Sequence, residues 1–378
     1  MPPTQPSPPA TATASTTATA GAAAAATAGA AASATAGVPA TAGVPATAGV
    51  TATAGITARP ASGAVRPFRF TAAMPGLDRP VARWRDEVRR IEDLGFDSVS
   101  VSDHFTGGWA MDPLVAMTVA AEATTRLRVL GLVFCNDFRH PVLLHKALAN
   151  LDVFSGGRVE IGLGAGWLRD DHDAAGLPFD PPQVRVARLA ESIEILLRLF
   201  GDRPVDFAGQ HYRVTGLAGL PAPVQRPHPP LLVGGGSRRI LQLAGRRADI
   251  VGLNPRLAPD VDPLAAVEEM SAARFARKVA WARDAAVAAG RDPADLEFQA
   301  RMFDVRVQHR GVEYRASSSH TRLADPAALA DSPSVLHGSV DECVDRLLAL
   351  RDRYGVSYLH LGGNLDAAAP IVARLAGR

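Results

Sequence analysis

The sequence predicts an α/β fold, a (β/α)8 TIM barrel with insertions, preceded by a low-complexity tail. Three observations carry that prediction. Apolar strand-like runs alternate with amphipathic helical patterns, the alternation can be counted eight times between residues 68 and 376, and short polar or Gly-rich turns follow the strands. Strands alternating with helices imply parallel strands joined by right-handed crossovers. Eight units fit a closed barrel, whose usual size is about 250 residues plus insertions. An open doubly wound sheet is the competing architecture.

Strands are expected at 68–72, 98–102, 127–134, 158–163, 231–233, 250–253, 296–307 and 357–361. Helices come after each of them in turn, at 81–94, 113–123, 141–154, 184–199, 238–244, 263–289, 340–354 and 367–376. The second strand, Ser98-Val99-Ser100-Val101-Ser102, alternates β-branched residues with serine, and the fifth, Leu231-Leu232-Val233, is a short apolar run between Pro230 and Gly234. Both patterns are strand signals. Two insertions are expected, 201–230 with a small hairpin at 206–214, and 308–333.

Residues 1–64 stand apart from the barrel domain at 65–378. No charged residue occurs before Thr57, and Ala34-Thr35-Ala36-Gly37-Val38-Pro39 opens a repeat. With few large side chains to bury, such a segment cannot offset the entropy of ordering its backbone, so disorder is expected. Its start, Met1-Pro2-Pro3-Thr4-Gln5-Pro6, lacks the basic residue and apolar core of a secretory signal. No apolar run reaches the length that spans a bilayer. Charge is nearly balanced at +2 and aromatics make up 6% of the chain, so no nucleic-acid surface is expected. Cys135 and Cys343 are too few for a disulfide framework or a zinc site. The expectation is a cytoplasmic protein with a small-molecule substrate and no metal.

A barrel of this kind places its site where the strands end. After the second strand come Asp103, His104, Phe105 and Trp109; after the third, Cys135 and Asn136; after the fourth, Gly164 and Trp167; after the fifth, Gly234, Gly235, Gly236 and Ser237. The last group lies between a strand and a helix. Its free backbone N–H groups, with Arg238 and Arg239 beside them, suit a phosphate. Gly162-Leu163-Gly164-Ala165-Gly166 lacks the dinucleotide spacing, because the next strong helical period begins only near Val184. His104 reads either as an acid/base group or as a structural partner of Asp103. Asp170-Asp171-His172-Asp173 reads as a polar loop at the pocket mouth.

Taken in order, Ser102-Asp103-His104-Phe105, Arg139-His140-Pro141, Leu151-Asp152, Ser155-Gly156-Gly157-Arg158, the run from Gly162 to Trp167, and Pro229-Pro230 through Gly236 with Ala248-Asp249 resemble the luciferase-like monooxygenase superfamily. The resemblance covers residues 68–365 and is strongest to the coenzyme F420-dependent branch. It implies F420 as cofactor, with FMN the alternative. It further implies that Asp103, Trp109, Cys135, Asn136, Gly164 and Trp167 border the ring, that Gly234 to Ser237 take the phosphate, and that His104 is catalytic. In the family the third strand carries a bulge behind the ring, and a homodimer through the second and third helices is the implied assembly. Two departures from the branch's sugar-phosphate dehydrogenases stand out: Trp109 lies one residue further from His104, and Trp167 replaces a glutamate. The implied activity is hydride transfer from reduced F420 to a C=C or C=N bond. An FMN-dependent monooxygenase and a non-catalytic flavin-binding barrel are the other readings, and without that glutamate His104 is expected to act alone.

Overall fold

The computed structural model describes residues 65–256, 268–317, 329 and 331–378. The tail at 1–64, the start of the helix expected at 263–289 and the middle of the second insertion lie outside the described residues.

In chain order the strands are β1 (Arg69–Ala73), β2 (Ser98–Val101), β3 (Arg128–Cys135), β4 (Val159–Gly164), β5 (Val205–Ala208), β6 (Arg213–Leu217), β7 (Leu231–Gly235), β8 (Ile250–Leu253), β9 (Glu297–Arg301), β10 (Asp304–His309), β11 (Val312–Ser317), β12 (Val335–Ser339) and β13 (Val356–His360). The described helices are α1 (Val81–Asp93), α2 (Pro113–Ala123), α3 (Pro141–Ser155), α4 (Arg169–Ala175), α5 (Pro182–Leu199), α6 (Arg238–Arg247), α7 (Ala272–Ala288), α8 (Val340–Tyr354) and α9 (Leu365–Leu375). Eight strands close into a barrel in the order β1-β13-β9-β8-β7-β4-β3-β2. Every neighbouring pair is parallel. Because β1 pairs with both β2 and β13, the open-sheet alternative is excluded.

The run expected as one strand at 296–307 is two. Met302 donates its N–H to His360 and Phe303 to Ser334, which carries the chain out of the barrel. The next strand, β10, joins β11 and β12 in a separate three-stranded sheet. Met302 and Phe303 are buried, so the apolar pattern runs across the break unaltered. Residues 170–173, read as a loop, lie in α4; a seven-residue helix is too short to show a period in sequence. The hairpin expected at 206–214 is present as β5 and β6, paired antiparallel.

Side chains alternate between the inside of the barrel and the helix layer. Outside, Phe70, Phe134, Ile161 and Phe298 pack against helical residues such as Ile193, Leu241 and Leu347 in one continuous core. Each such side chain contributes roughly 1.5–3 kcal/mol when fully buried. Inside, the N-terminal half is plugged by charge. Glu160, with no exposed surface, accepts hydrogen bonds from Arg69, from Arg128 Nε at 2.6 Å and from the Tyr358 hydroxyl at 2.9 Å, while Arg69 also pairs with Glu297 at 2.9 Å. Above this plug the inward positions become small: Ala73, Ser100, Gly162, Gly164, Gly234 and Gly252. The barrel is therefore filled by long charged side chains at its base, and the small inward residues nearer its C-terminal mouth let Val133 and the neighbouring strands pack closely.

Candidate active site

At the end of β2 the chain turns through Ser102 to Thr106, and one buried carboxylate from α4 holds that turn. Asp171, almost fully buried, accepts hydrogen bonds from the N–H groups of Phe105 (3.0 Å) and Thr106 (2.8 Å), from the Thr106 hydroxyl (2.7 Å) and from His104 Nδ1 (2.5 Å). Its place in the first turn of α4 suits a negative charge. Burial pushes its pKa up, but the bonds from Thr106 and His104 outweigh that and hold it below the ordinary carboxylate value. An ionised Asp171 fixes the proton on Nδ1 and leaves Nε2 as the nitrogen that can meet a substrate. The expectation that His104 acts alone is corrected: its carboxylate lies 67 residues along the chain.

Two indoles flank the imidazole. Trp109 lies 4.4 Å from it at 37°, and Trp167 meets it edge-on at 5.8 Å and 81°. They remain 43% and 40% exposed, unusually open for tryptophan, and so offer an aromatic wall to a ligand.

Asp103 points elsewhere. It is buried, accepts the Cys135 N–H at 3.0 Å and pairs with Arg139 at 2.5 Å, and Arg139 continues to Asp112 at 2.7 Å. It ties β2 to β3 and is not the partner of His104. Burial raises its pKa, although Arg139 opposes the shift. Cys135 is also buried, its thiol pushed up to about 12 by desolvation. Asn136 is buried with its Nδ2 donating to Tyr212 and Asp137.

The irregularity on β3 lies upstream of both, where the register with β4 shifts between Gly131 and Phe134 and the Leu132–Val133 peptide is cis. It turns Val133 toward the mouth. A Cβ on Gly164 would lie 2.7 Å from Val133 Cγ2, so glycine is needed there. Val133 is the residue that sequence reasoning missed; the inward column of glycines facing it was the available signal.

Gly234 and Gly235 end β7, and Ser237 stands at the N-cap of α6 without making a side-chain cap bond. The first-turn N–H groups of α6 have no intrahelical partner. Gly236 lets this turn press against the next strand end: a Cβ there would fall 2.6 Å from the Arg256 nitrogen and 2.7 Å from the Asn254 oxygen. The result is a cradle of backbone N–H groups of the kind that suits an anion. Its strand is the third along from β2, and strands lie about 4.8 Å apart, so the cradle is roughly 15 Å around the rim from His104. That span accommodates a tricyclic ring and a polyol chain ending in phosphate, so these residues fit a flavin or deazaflavin. Among the described residues no cluster of His, Cys, Asp and Glu is arranged to hold a metal ion. None of the described helices is long and apolar enough to cross a membrane.

A family model described as luciferase-like monooxygenase matches residues 63–357. The chain belongs to this family. The luciferase-like chain is 31% identical over 306 residues to 4-hydroxyprotoasukamycin monooxygenase of Streptomyces nodosus subsp. asukaensis, covering 74% of this chain and 80% of that protein. It is 34% identical over 166 residues to F420-dependent glucose-6-phosphate dehydrogenase of Amycolatopsis mediterranei, covering 42% of this chain and about half, 49%, of that enzyme. Among solved structures, the coenzyme F420-dependent tetrahydromethanopterin reductase of Methanopyrus kandleri matches with a TM-score of 0.61 at 17% identity, covering 82% of this chain and 97% of the other. That likeness speaks for the fold alone. Luciferase-like relatives include both F420-dependent and FMN-dependent oxidoreductases.

Proposed function

We propose that this luciferase-like protein is a coenzyme F420-dependent reductase acting on small organic molecules that carry an electron-poor C=C or C=N bond. One observation carries the reading: the Asp171–His104 pair sits between two open indoles on the same rim as the anion cradle. Bound in its reduced form, the deazaflavin supplies a hydride. Trp109 and Trp167 would wall the ring, Val133 and Gly164 would back it, and Gly234, Gly235, Gly236 and Ser237 would hold the phosphate. Asp171 orients His104 and stabilises its imidazolium. His104 Nε2–H then protonates the substrate atom next to the one that receives the hydride, and solvent restores the proton. Where the sugar-phosphate dehydrogenases have a glutamate this chain has Trp167, so its carboxylate works from behind the imidazole.

A second reading, an FMN-dependent monooxygenase, is favoured by the similarity to 4-hydroxyprotoasukamycin monooxygenase over most of that protein's length. Reoxidation of reduced F420 without oxygen, across a panel of activated alkenes and imines, separates the two. The reductase reading expects substrate-dependent reoxidation that His104→Gln slows by about 10²–10⁴-fold. Oxygen-dependent turnover with reduced FMN alone would contradict it.

A further inference from the structure

Glu297, Gln299 and Arg301 share one face of β9, because alternate residues on a strand point the same way. Glu297 belongs to the charged plug inside the barrel, so Gln299 and Arg301 also face the interior, successively nearer the mouth. The Gln299 carboxamide lies over Gly252, 3.5 Å from where a Cβ would stand, and is 1% exposed. Its Nε2 is buried with no hydrogen-bond partner. A buried donor without an acceptor is destabilising, a state that persists where a ligand or water supplies the acceptor.

Arg301, at the rim, is exposed and has no hydrogen bond or ion pair among the described residues; its guanidinium stands 5.6 Å from the Phe303 ring. The two other arginines that enter the barrel, Arg69 and Arg128, both pair with Glu160. Beside Arg301, in register on β13, is His360, 3% exposed, with Nδ1 accepting the Gly362 N–H at 3.0 Å. Burial, aided by the charge of Arg301, lowers its pKa to about 3, so it adds no second positive charge. The ends of β9 and β13 lie on the half of the rim away from β2, β3, β4 and β7, which carry the aromatic wall and the phosphate cradle.

We infer that Arg301 and Gln299 form a substrate-recognition site for a carboxylate, and that the natural substrate is a small monoanionic acid whose reactive bond projects toward His104. One guanidinium beside a neutral imidazole matches a monoanion, and its planar fork matches a carboxylate in bidentate fashion. Gln299 donates from below to a carboxylate or carbonyl oxygen. This assignment deepens the proposed function and rests on its placing of the cofactor along the opposite half of the rim.

The test titrates the full chain, without cofactor, with acid and amide pairs: cinnamate against cinnamamide and crotonate against crotonamide, read by calorimetry. The acids are expected to bind about tenfold or more tightly than the amides. Arg301→Met should abolish that preference while leaving amide affinity unchanged, Arg301→Lys should restore part of it, and Gln299→Leu should weaken acid and amide alike. Equal affinity for acid and amide in the wild type, or an acid preference that survives Arg301→Met, would overturn the assignment. Because no cofactor enters this measurement, failure to bind F420 would count against the reductase reading and leave this result to stand or fall by itself.

Discussion

Replacing the Asp171 carboxylate by a carboxamide preserves its shape and its capacity to accept from Phe105 and Thr106, but sets a neutral group against His104 Nδ1. Asp171→Asn should therefore lower F420H2 reoxidation by about 10²–10⁴-fold, as expected when a general acid loses the group that orients it. A variant with wild-type turnover would remove Asp171 from the mechanism. The lowered pKa sets the sign of the pH effect. The stability that this carboxylate contributes is complete above its unfolded value of about 3.9 and is lost only as pH falls through the depressed folded value. Asp171→Asn should thus lower stability at neutral pH and flatten the acid limb, with wild type and variant converging as pH falls through the depressed folded value. His104 was legible in the sequence as a strand-end imidazole. Its partner was not, because Asp170, Asp171 and Asp173 look alike in a polar run and only the fold decides which of them is buried.

At the scale of elements, the turn from β7 into α6 works because Gly236 has no side chain. Gly236→Ala would drive a methyl group against backbone atoms of residues 254–256, which cannot swing aside as a side chain would. F420 affinity is expected to fall about tenfold or more, while an acid ligand at Arg301 keeps its affinity. An alanine variant with unaltered F420 affinity would show that the phosphate sits elsewhere. The tightness of this turn was readable in the sequence, since three glycines between an apolar strand and a helix mark a close approach of backbone. The break after β9 was not readable, because Met302 and Phe303 are as apolar as the strands on either side. The irregularity at Leu132 and Val133 was hidden for a similar reason: two apolar residues in an apolar strand carry no mark of a register shift.

Across the whole molecule, the barrel separates stability from chemistry along its axis. Burial pushes the Glu160 pKa up, but Arg69 and Arg128 outweigh it and hold it below the ordinary value. Glu160→Gln leaves Arg128 without a carboxylate among the described residues and Arg69 with Glu297 alone. Breaking such a buried pair costs about 3–5 kcal/mol, which a urea unfolding midpoint at pH 7 would register. The loss should shrink as the wild type is taken below pH 4, where Glu160 begins to protonate in the unfolded chain. A midpoint unchanged at neutral pH would contradict the structural role. Eight alternating β/α units pointed to this architecture, and the pairing of β1 with both β2 and β13 supplies the closure that the count left open. Which residues fill the base and which line the mouth depends on inward-facing register, and a shift of one residue reverses it. Whether the barrel mouth takes a deazaflavin against Trp109 and Trp167 is tested most directly by tryptophan fluorescence of the full chain titrated with F420 and with FMN. Saturable quenching by F420 is expected at concentrations about tenfold or more below those needed for FMN. Tighter quenching by FMN, or none by F420, would contradict a deazaflavin site.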